Sequence, residues 1–417
     1  MSHLPGSPPS SLKTTSHRGI ALLITLVILA LLAVFMTEFS FETKLETRGI
    51  QNYQASFKAR NAVKSIFKAV LEGLKGQDEV KFFRIYLKDL LRLGTMGNEI
   101  SFLNPPQPVR LPAGIIADFP EVSFYTPYIR PIDHLYNLNR IQTQSRTRIN
   151  EAKADVHLAN QFINIFTDWN STTNSQSESS VISQNYYLNT NEILLIYAAI
   201  FDWLDKDDEI YESSISSTRG AEKNSYIGVD PYFEIKNGFL DKLSEVQLIR
   251  GVKDKRIPLS QWKKGFTTFP VGDKYKKTTD FSEIKPRINI NLAKSEEIVE
   301  FLQQFKQDNN YFNQFSTDFY DYNSQEYFIK RKEIASELTR MPRTKLTRQN
   351  IENKLSNITK YASSHIYFTA NSYWYEIHLK TEIDNVKAEV RAVVSVDRDE
   401  TGKVKDKGLI IHNFFLR

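Results

Sequence analysis

Apolar residues along this chain follow three different patterns in turn. From Ile20 to Met36 the run IALLITLVILALLAVFM is apolar at every position but Thr25. As a helix it covers about 25 Å, close to the ~30 Å hydrocarbon core of a bilayer, and the Thr25 hydroxyl can bond back to the helix. Beyond it Tyr53, Phe57, Ala59, Val63, Ile66, Phe67, Val70, Leu71 and Leu74 recur largely at i, i+3, i+4 steps. That spacing predicts one helix that starts as a membrane span and emerges amphipathic. Gln77–Gly94 predicts a second amphipathic helix.

After Asn104-Pro105-Pro106 the pattern shifts to short β-rich runs such as EVSFYTPYIRPI. Strand alternation is clearest near the end, in SYWYEIHLKTEI, NVKAEVRAVVSV and KGLIIHNFFL, separated by Asp384-Asn385 and by DRDETGK. In the middle run Val386, Ala388, Val390, Ala392 and Val394 share one face while Lys387, Glu389 and Arg391 share the other, the mark of a one-sided antiparallel meander. Between these parts the period is helical again. NEAKADVHLANQFINIF predicts a helix, and a Ser/Thr/Asn-rich connection over 167–185 follows it. LNTNEILLIYAAIFDWLD predicts a buried helix capped by Asn or Thr. Ser244-Glu245-Val246-Gln247 has the form of a capping box for a helix that stops at Gly251, and Ser295 with Glu296 and Glu297 opens another. The expected fold class is α+β: a long N-terminal helix packed on a C-terminal antiparallel sheet, with a large helical domain inserted. The expected divisions are a leader over 1–19, a transmembrane part over 20–39, a helix and first sheet portion over 40–146, the helical insertion over 147–364, and the C-terminal strands over 365–417.

Composition narrows the function classes. The 417 residues include no cysteine, so disulfides, thiolate metal sites and a cysteine nucleophile are excluded. Lys+Arg 54 against Asp+Glu 49 leaves +5 on the whole chain, too dilute an excess to argue for nucleic acid. Residues 1–19 hold Lys13 and Arg18 and no acid, which places this end in the cytoplasm and the bulk of the chain across the membrane. The apolar run passes through Phe35, Met36 and Phe39 without a small-x-small cleavage site. Gly19 instead stands just before the run, after a basic residue, where prepilin peptidase cuts class III signals.

Here the sequence resembles the type IV pilin superfamily, and within it the minor pseudopilin K family of type II secretion (general secretion pathway protein K). Most pilins carry Glu at the fifth residue of the mature chain; counted from Ile20 that residue is Ile24. A carboxylate in the bilayer needs a partner, and a subunit that starts a filament has no earlier neighbour to supply one, so the missing Glu suits the tip. Further matches are PIDHLYNLNRI with Asn137 and Asn139, IFDWLDKDDE followed by Gly220-Ala221-Glu222, and RININLAKSEEIVEFL with Asn289 and Asn291. Lys223 stands where the family usually has an acid, and the 170–186 connection is longer than typical. The resemblance implies a non-enzymatic minor pseudopilin at the tip of the type II secretion pseudopilus, needed for export of folded periplasmic proteins. It implies cleavage between Gly19 and Ile20 and a single-pass inner-membrane protein with its bulk in the periplasm of a Gram-negative bacterium. Implied partners are minor pseudopilins I and J, the major pseudopilin, prepilin peptidase and the membrane, with no nucleic acid; Tyr53, Phe57, Ile66 and Phe67 would pack against partner helices. A minor type IV pilin is the alternative within the superfamily.

No catalytic constellation stands out: G-x-S-x-G, H-E-x-x-H and a Walker loop are absent, and the seven histidines never fall at paired ligand spacing. One acidic cluster does, comprising Asp202, Asp205, Asp207, Asp208 and Glu209 with Glu212 and Glu222 nearby. It fails the EF-hand template, since counting from Asp205 the sixth residue is Ile210 rather than Gly and the twelfth is Ser216 rather than Glu. Two readings stay open, a solvated acidic turn and a calcium site. Pseudopilin K binds calcium in its helical insertion, so the resemblance implies calcium on Asp205, Asp207, Asp208 and Glu222. A reading from another class takes LSEVQLIRGV and INLAKSEEIVEFL as halves of helix-hairpin-helix elements, which would make a membrane-anchored DNA-binding protein. Against it, the hairpin glycine is absent after Glu300-Phe301-Leu302 and no basic stripe follows.

Overall fold

The computed structural model describes residues 15–76, 110–111, 119–125, 127–143, 158–166, 188–212, 217–228, 234–271, 286–293, 295–303, 332–336, 338–339, 368–399 and 403–417. The expected helix over Gln77–Gly94 and the connection over 167–185 lie outside these residues.

Helix α1 runs unbroken from Thr15 to Lys75, 61 residues or about 90 Å. Its Ile20–Met36 stretch is exposed all round, and Thr25 Oγ1 donates to the carbonyls of Leu22 and Ala21, so the one polar side chain there is satisfied within the helix. From Ala55 onward one face is buried, through Ala59, Ala62, Val63, Ile66, Phe67, Val70 and Leu74. The three alanines let the helix sit close to the sheet, and Thr381 Oγ1 donates to the Ala59 carbonyl at 2.9 Å.

The sheet that receives this face is antiparallel and six-stranded. Its strands are β1 (Arg110–Leu111), β2 (Ser123–Tyr125), β3 (Tyr128–Pro131) and three long C-terminal ones. The order is β1, β2, Trp374–Ile383, Val386–Arg398, Val404–Leu416, with β3 also on the Trp374–Ile383 strand. The C-terminal strands are β8 (Trp374–Ile383), β9 (Val386–Arg398) and β10 (Val404–Leu416), the expected meander. Asp384 and Asn385 join β8 to β9 with φ of 47° and 67°, as a two-residue hairpin turn of right-handed strands requires. Tyr375, Ile377 and Leu379 of β8 and Ala388, Val390, Ala392 and Val394 of β9 meet α1.

Arg398, buried at the end of β9, closes the helix. Its Nη1 donates to the Gly76 carbonyl at 3.0 Å and its Nη2 to the Leu74 carbonyl at 2.8 Å, so orphan carbonyls at the negative end of α1 meet a guanidinium. Arg398→Ala should lower stability by about 2 kcal/mol, the scale of a hydrogen bond to a charged group. Urea midpoints measure it, together with amide exchange over 70–76. An unchanged midpoint with protected amides would contradict this role.

Between the helix and the meander lie two larger further cores, beside a small cluster of Ile132, Leu135, Val271 and Trp374. The first spans Tyr136 to Phe266 and holds Phe162, Phe166, Tyr197, Trp203 and Trp262; the second spans Ile288 to Phe368. Each is closed by the same device. β4 (Tyr136–Asn137) pairs in parallel with β5 (Phe266–Thr267), and β6 (Ile288–Asn289) pairs in parallel with β7 (Phe368–Thr369). In the first, Asn139 N–H donates to Asn137 Oδ1, Leu138 N–H to the Thr267 carbonyl, and Asn139 Nδ2 to the Thr268 carbonyl. In the second, Asn291 N–H donates to Asn289 Oδ1, Ile290 N–H to the Thr369 carbonyl, and Asn291 Nδ2 to the Ala370 carbonyl. The two Asn-x-Asn segments are thus equivalent positions of an internal structural repeat.

The helix Thr190–Leu204 carries the expected cap: Asn189 Oδ1 accepts from Glu192 N–H, and Glu192 Oε2 from Asn189 N–H. Ser244 does not cap a helix. A 3-10 helix spans Leu243–Leu248, and Glu245 Oε1 accepts from the amides of Asp241 and Lys242, so the cap sits two residues earlier, at Lys242. Gly251, at φ 83°, starts the next short helix, and a side chain there would meet Leu195 Cδ2 at 2.9 Å.

Candidate metal centre

Three carboxylates meet at the C-terminal end of the Thr190–Leu204 helix. Asp202 lies in its last turn, and Asp205 is the residue that ends it, with its N–H on the Phe201 carbonyl. The i, i+3 spacing puts both on one face. The chain then runs out through an exposed stretch over 206–210 and returns: Glu212 and Arg219 form an antiparallel bridge, and Gly220 N–H donates to the Tyr211 carbonyl. Tyr211 stacks on Phe201 at 4.2 Å and its N–H donates to Asp202 Oδ1 at 2.9 Å. The return places Glu222 beside the two aspartates.

Gly220 makes this closure possible. A Cβ there would lie 2.1 Å from Asp202 Oδ2 and 2.7 Å from the Ala198 carbonyl oxygen, and the second of these is backbone that cannot swing away. Ala221 then enters the core and Glu222 reaches the site, which gives Gly-Ala-Glu a steric reason.

One oxygen from each of Asp202, Asp205 and Glu222 lies within 4.8 Å of the others, and all three residues are buried. Asp202 Oδ2, Asp205 Oδ1 and both oxygens of Glu222 have no hydrogen-bond partner. Nearby cations do not repair this: Arg219 pairs with exposed Glu212 at 2.6 Å, and Lys206 and Lys223 are exposed. The negative end of the helix macrodipole adds to the repulsion. Desolvation first pushes the Asp205 carboxyl up to about 8, with Asp207, Asp202, Glu222 and Asp208 adding to it. Glu222 rises to about 7 through desolvation and then Asp202, and Asp202 to about 6 through desolvation, held back by the N–H groups of Tyr211 and Ala221. A hard divalent cation with oxygen ligands at 2.3–2.6 Å fits this donor set, which lacks nitrogen and sulfur.

Of the four ligands expected from the sequence, Asp205 and Glu222 come together and Asp207 and Asp208 do not. Both of the latter are exposed, because the helix ends at Leu204 and the chain turns outward; Asp207 Oδ1 accepts from Glu209 N–H instead. Asp202 takes their place. Its three-residue spacing from Asp205 at a helix end is the signal that identifies it.

The other expected residues divide as well. Gly19 and Ile20 lie on α1, with Ile20 exposed. Tyr53 and Phe57 are exposed at 73% and 58%, free to meet another helix. Ile66 and Phe67 are not: both are buried against the chain's own sheet, and Phe67 meets Phe414 at a ring separation of 5.4 Å. The four do not share one face, and Ile66 and Phe67 leave the partner stripe. At Gly251 the N–H donates to Asp254 Oδ2 at 3.2 Å.

No protein-family model matches the chain, and no curated protein matches it. Among solved structures it is similar to a chain of the GspK-GspI-GspJ complex of the enterotoxigenic Escherichia coli type 2 secretion system. The two are 15% identical, with 89% of this chain and 99% of that chain covered and a TM-score of 0.41.

Proposed function

We propose that this protein is a non-enzymatic minor pseudopilin of the K type, at the tip of a type II secretion pseudopilus and required for export of folded periplasmic proteins. The observation that carries the reading is a single helix built for two solvents. Over Ile20–Met36 α1 is apolar and bare on every side, and from Ala55 it becomes the core helix of a sheet domain. Such a helix is both anchor and assembly element. The exposed Tyr53 and Phe57 would meet the helices of minor pseudopilins I and J, and the major pseudopilin would lie below. Prepilin peptidase would cut between Gly19 and Ile20 on the cytoplasmic side of the inner membrane, leaving the bulk in the periplasm. Ile24 supports the tip position, as no carboxylate there awaits an earlier neighbour. Calcium is proposed at Asp202, Asp205 and Glu222, with backbone oxygens or waters completing its shell.

Deletion of the gene should block export of folded periplasmic substrates while leaving their passage across the inner membrane intact, and the mature protein should begin at Ile20. Normal export in the deletion strain, or a membrane-extracted protein that begins at Met1, contradicts the reading.

A further inference from the structure

β10 lies at the end of the sheet, and among the described residues it pairs with β9 alone. Its two halves differ. The first carries Lys405, Asp406 and Lys407, holds Lys407 at φ 56°, and shifts register between Val404 and Leu409. Charge and irregularity of this kind keep a sheet edge from recruiting another chain. Leu409–Leu416 has neither lysine nor carboxylate. Its one titratable residue, His412, is the extra residue of a second register shift and turns onto Trp374, with ring centroids 4.5 Å apart.

On this second half Ile410, Ile411, Phe414 and Phe415 are 36%, 41%, 47% and 49% exposed. The register sets Ile411 and Phe414 opposite Val394 and Ala392, on the α1 face, and Ile410 and Phe415 opposite Ser395 and Arg391, on the other. A partner laid on either face would cover two of the four. A chain laid alongside the edge reaches both faces and also satisfies the edge amides and carbonyls.

We propose that the Leu409–Leu416 edge of β10 receives an extended, uncharged apolar segment of a different protein as a seventh strand. The exclusion of a second copy rests on the reading of α1 as a membrane span. β9 runs in the direction of α1: Thr381, opposite Ala388, bonds Ala59 near its start, and Arg398 bonds Leu74 at its end. β10 therefore runs against α1. Two copies joined antiparallel through β10 would point their Ile20–Met36 segments in opposite directions and could not share a membrane. Parallel pairing bonds each residue to the neighbours of its equivalent, an offset that a two-fold axis does not allow.

The test uses the full chain in detergent micelles and a blocked octapeptide of alternating valine and threonine. Saturating peptide should slow exchange of alternate amides over Leu409–Leu416 by about tenfold or more, while the same peptide N-methylated at every second amide should not. The Ile410→Lys/Phe415→Lys double variant changes exposed side chains only, so it should keep its melting temperature while weakening peptide binding by about tenfold or more. Absence of slowing, equal slowing by the methylated peptide, or unchanged binding by the variant would overturn the proposal. A dimer by sedimentation that the variant abolishes would name a second copy as occupant and overturn it equally. Peptide protection does not depend on processing or export, so a failure of the secretion reading leaves a separate signature.

Discussion

Stripping divalent cations from the full-length protein at pH 8 should lower the melting temperature of the Tyr136–Phe266 core that holds the site by roughly 5–10 °C, and calcium should restore it. An ion bound only by the folded state, at a hundredfold excess over its dissociation constant, adds about 2.7 kcal/mol. The sign of the pH dependence separates this from an ordinary ion effect. Without metal, Asp202, Asp205 and Glu222 hold protons up to about 6, 8 and 7 in the folded state. In the unfolded chain they lose them near 4. Between about pH 4 and 8 the folded state therefore binds more protons, and stability falls as pH rises through that window. Calcium requires the ionised carboxylates, so its contribution should be small near pH 5, still rising through pH 8 where Asp205 gives up its proton, and accompanied by proton release.

Asp205→Asn should remove one buried charge, melt higher than the parent in chelator, and no longer respond to calcium. Asp207→Asn, at an exposed position, should keep the response. Magnesium should substitute poorly, since three carboxylates from a helix end and a returning segment do not enforce a small octahedral shell. Equal melting in chelator and in millimolar calcium would reduce the trio to a buried acidic cluster.

Phe162→Ala should destabilise the first inserted core by about 3–5 kcal/mol, the range for losing a fully buried aromatic ring. Its ring lies 5.0 Å from Phe166, 5.1 Å from Phe266, 5.6 Å from Tyr197, 6.3 Å from Trp262 and 6.4 Å from Tyr136, so truncation opens a void walled by five aromatics. Phe166 follows Phe162 on the same helical stretch, Trp262 and Phe266 share another, and Tyr136 and Tyr197 come from two more, so none can collapse inward without leaving its own contacts. The loss should fall on the inserted region, because α1, β8 and β9 belong to a different cluster. Amide exchange should accelerate in Thr190–Leu204 and stay slow in β8 and β9. A loss under about 1 kcal/mol would show that the cluster relaxes around the void.

Local pattern alone was enough for several parts of this protein. Seventeen residues from Ile20 to Met36 with one threonine spell an apolar helix, and period-two alternation from Val386 to Val394 spells a half-buried strand. The Asn189 cap, the Asp384-Asn385 turn and the acidic cluster were equally legible, because each depends on residues close in sequence. Tertiary structure decided what depends on distant segments. Helical spacing marked Ile66 and Phe67 as apolar-face residues but did not say whether a partner or the chain's own sheet covers that face, and the sheet lies some three hundred residues later. The carboxylates clustered in sequence, yet which ones meet depended on where the helix stops and on the return of the chain through Gly220. That closure buried Asp202, Asp205 and Glu222 together and left Asp207 and Asp208 in water, because Asp202 and Asp205 share the inward face of the helix end while the chain runs outward over 206–210 before it returns.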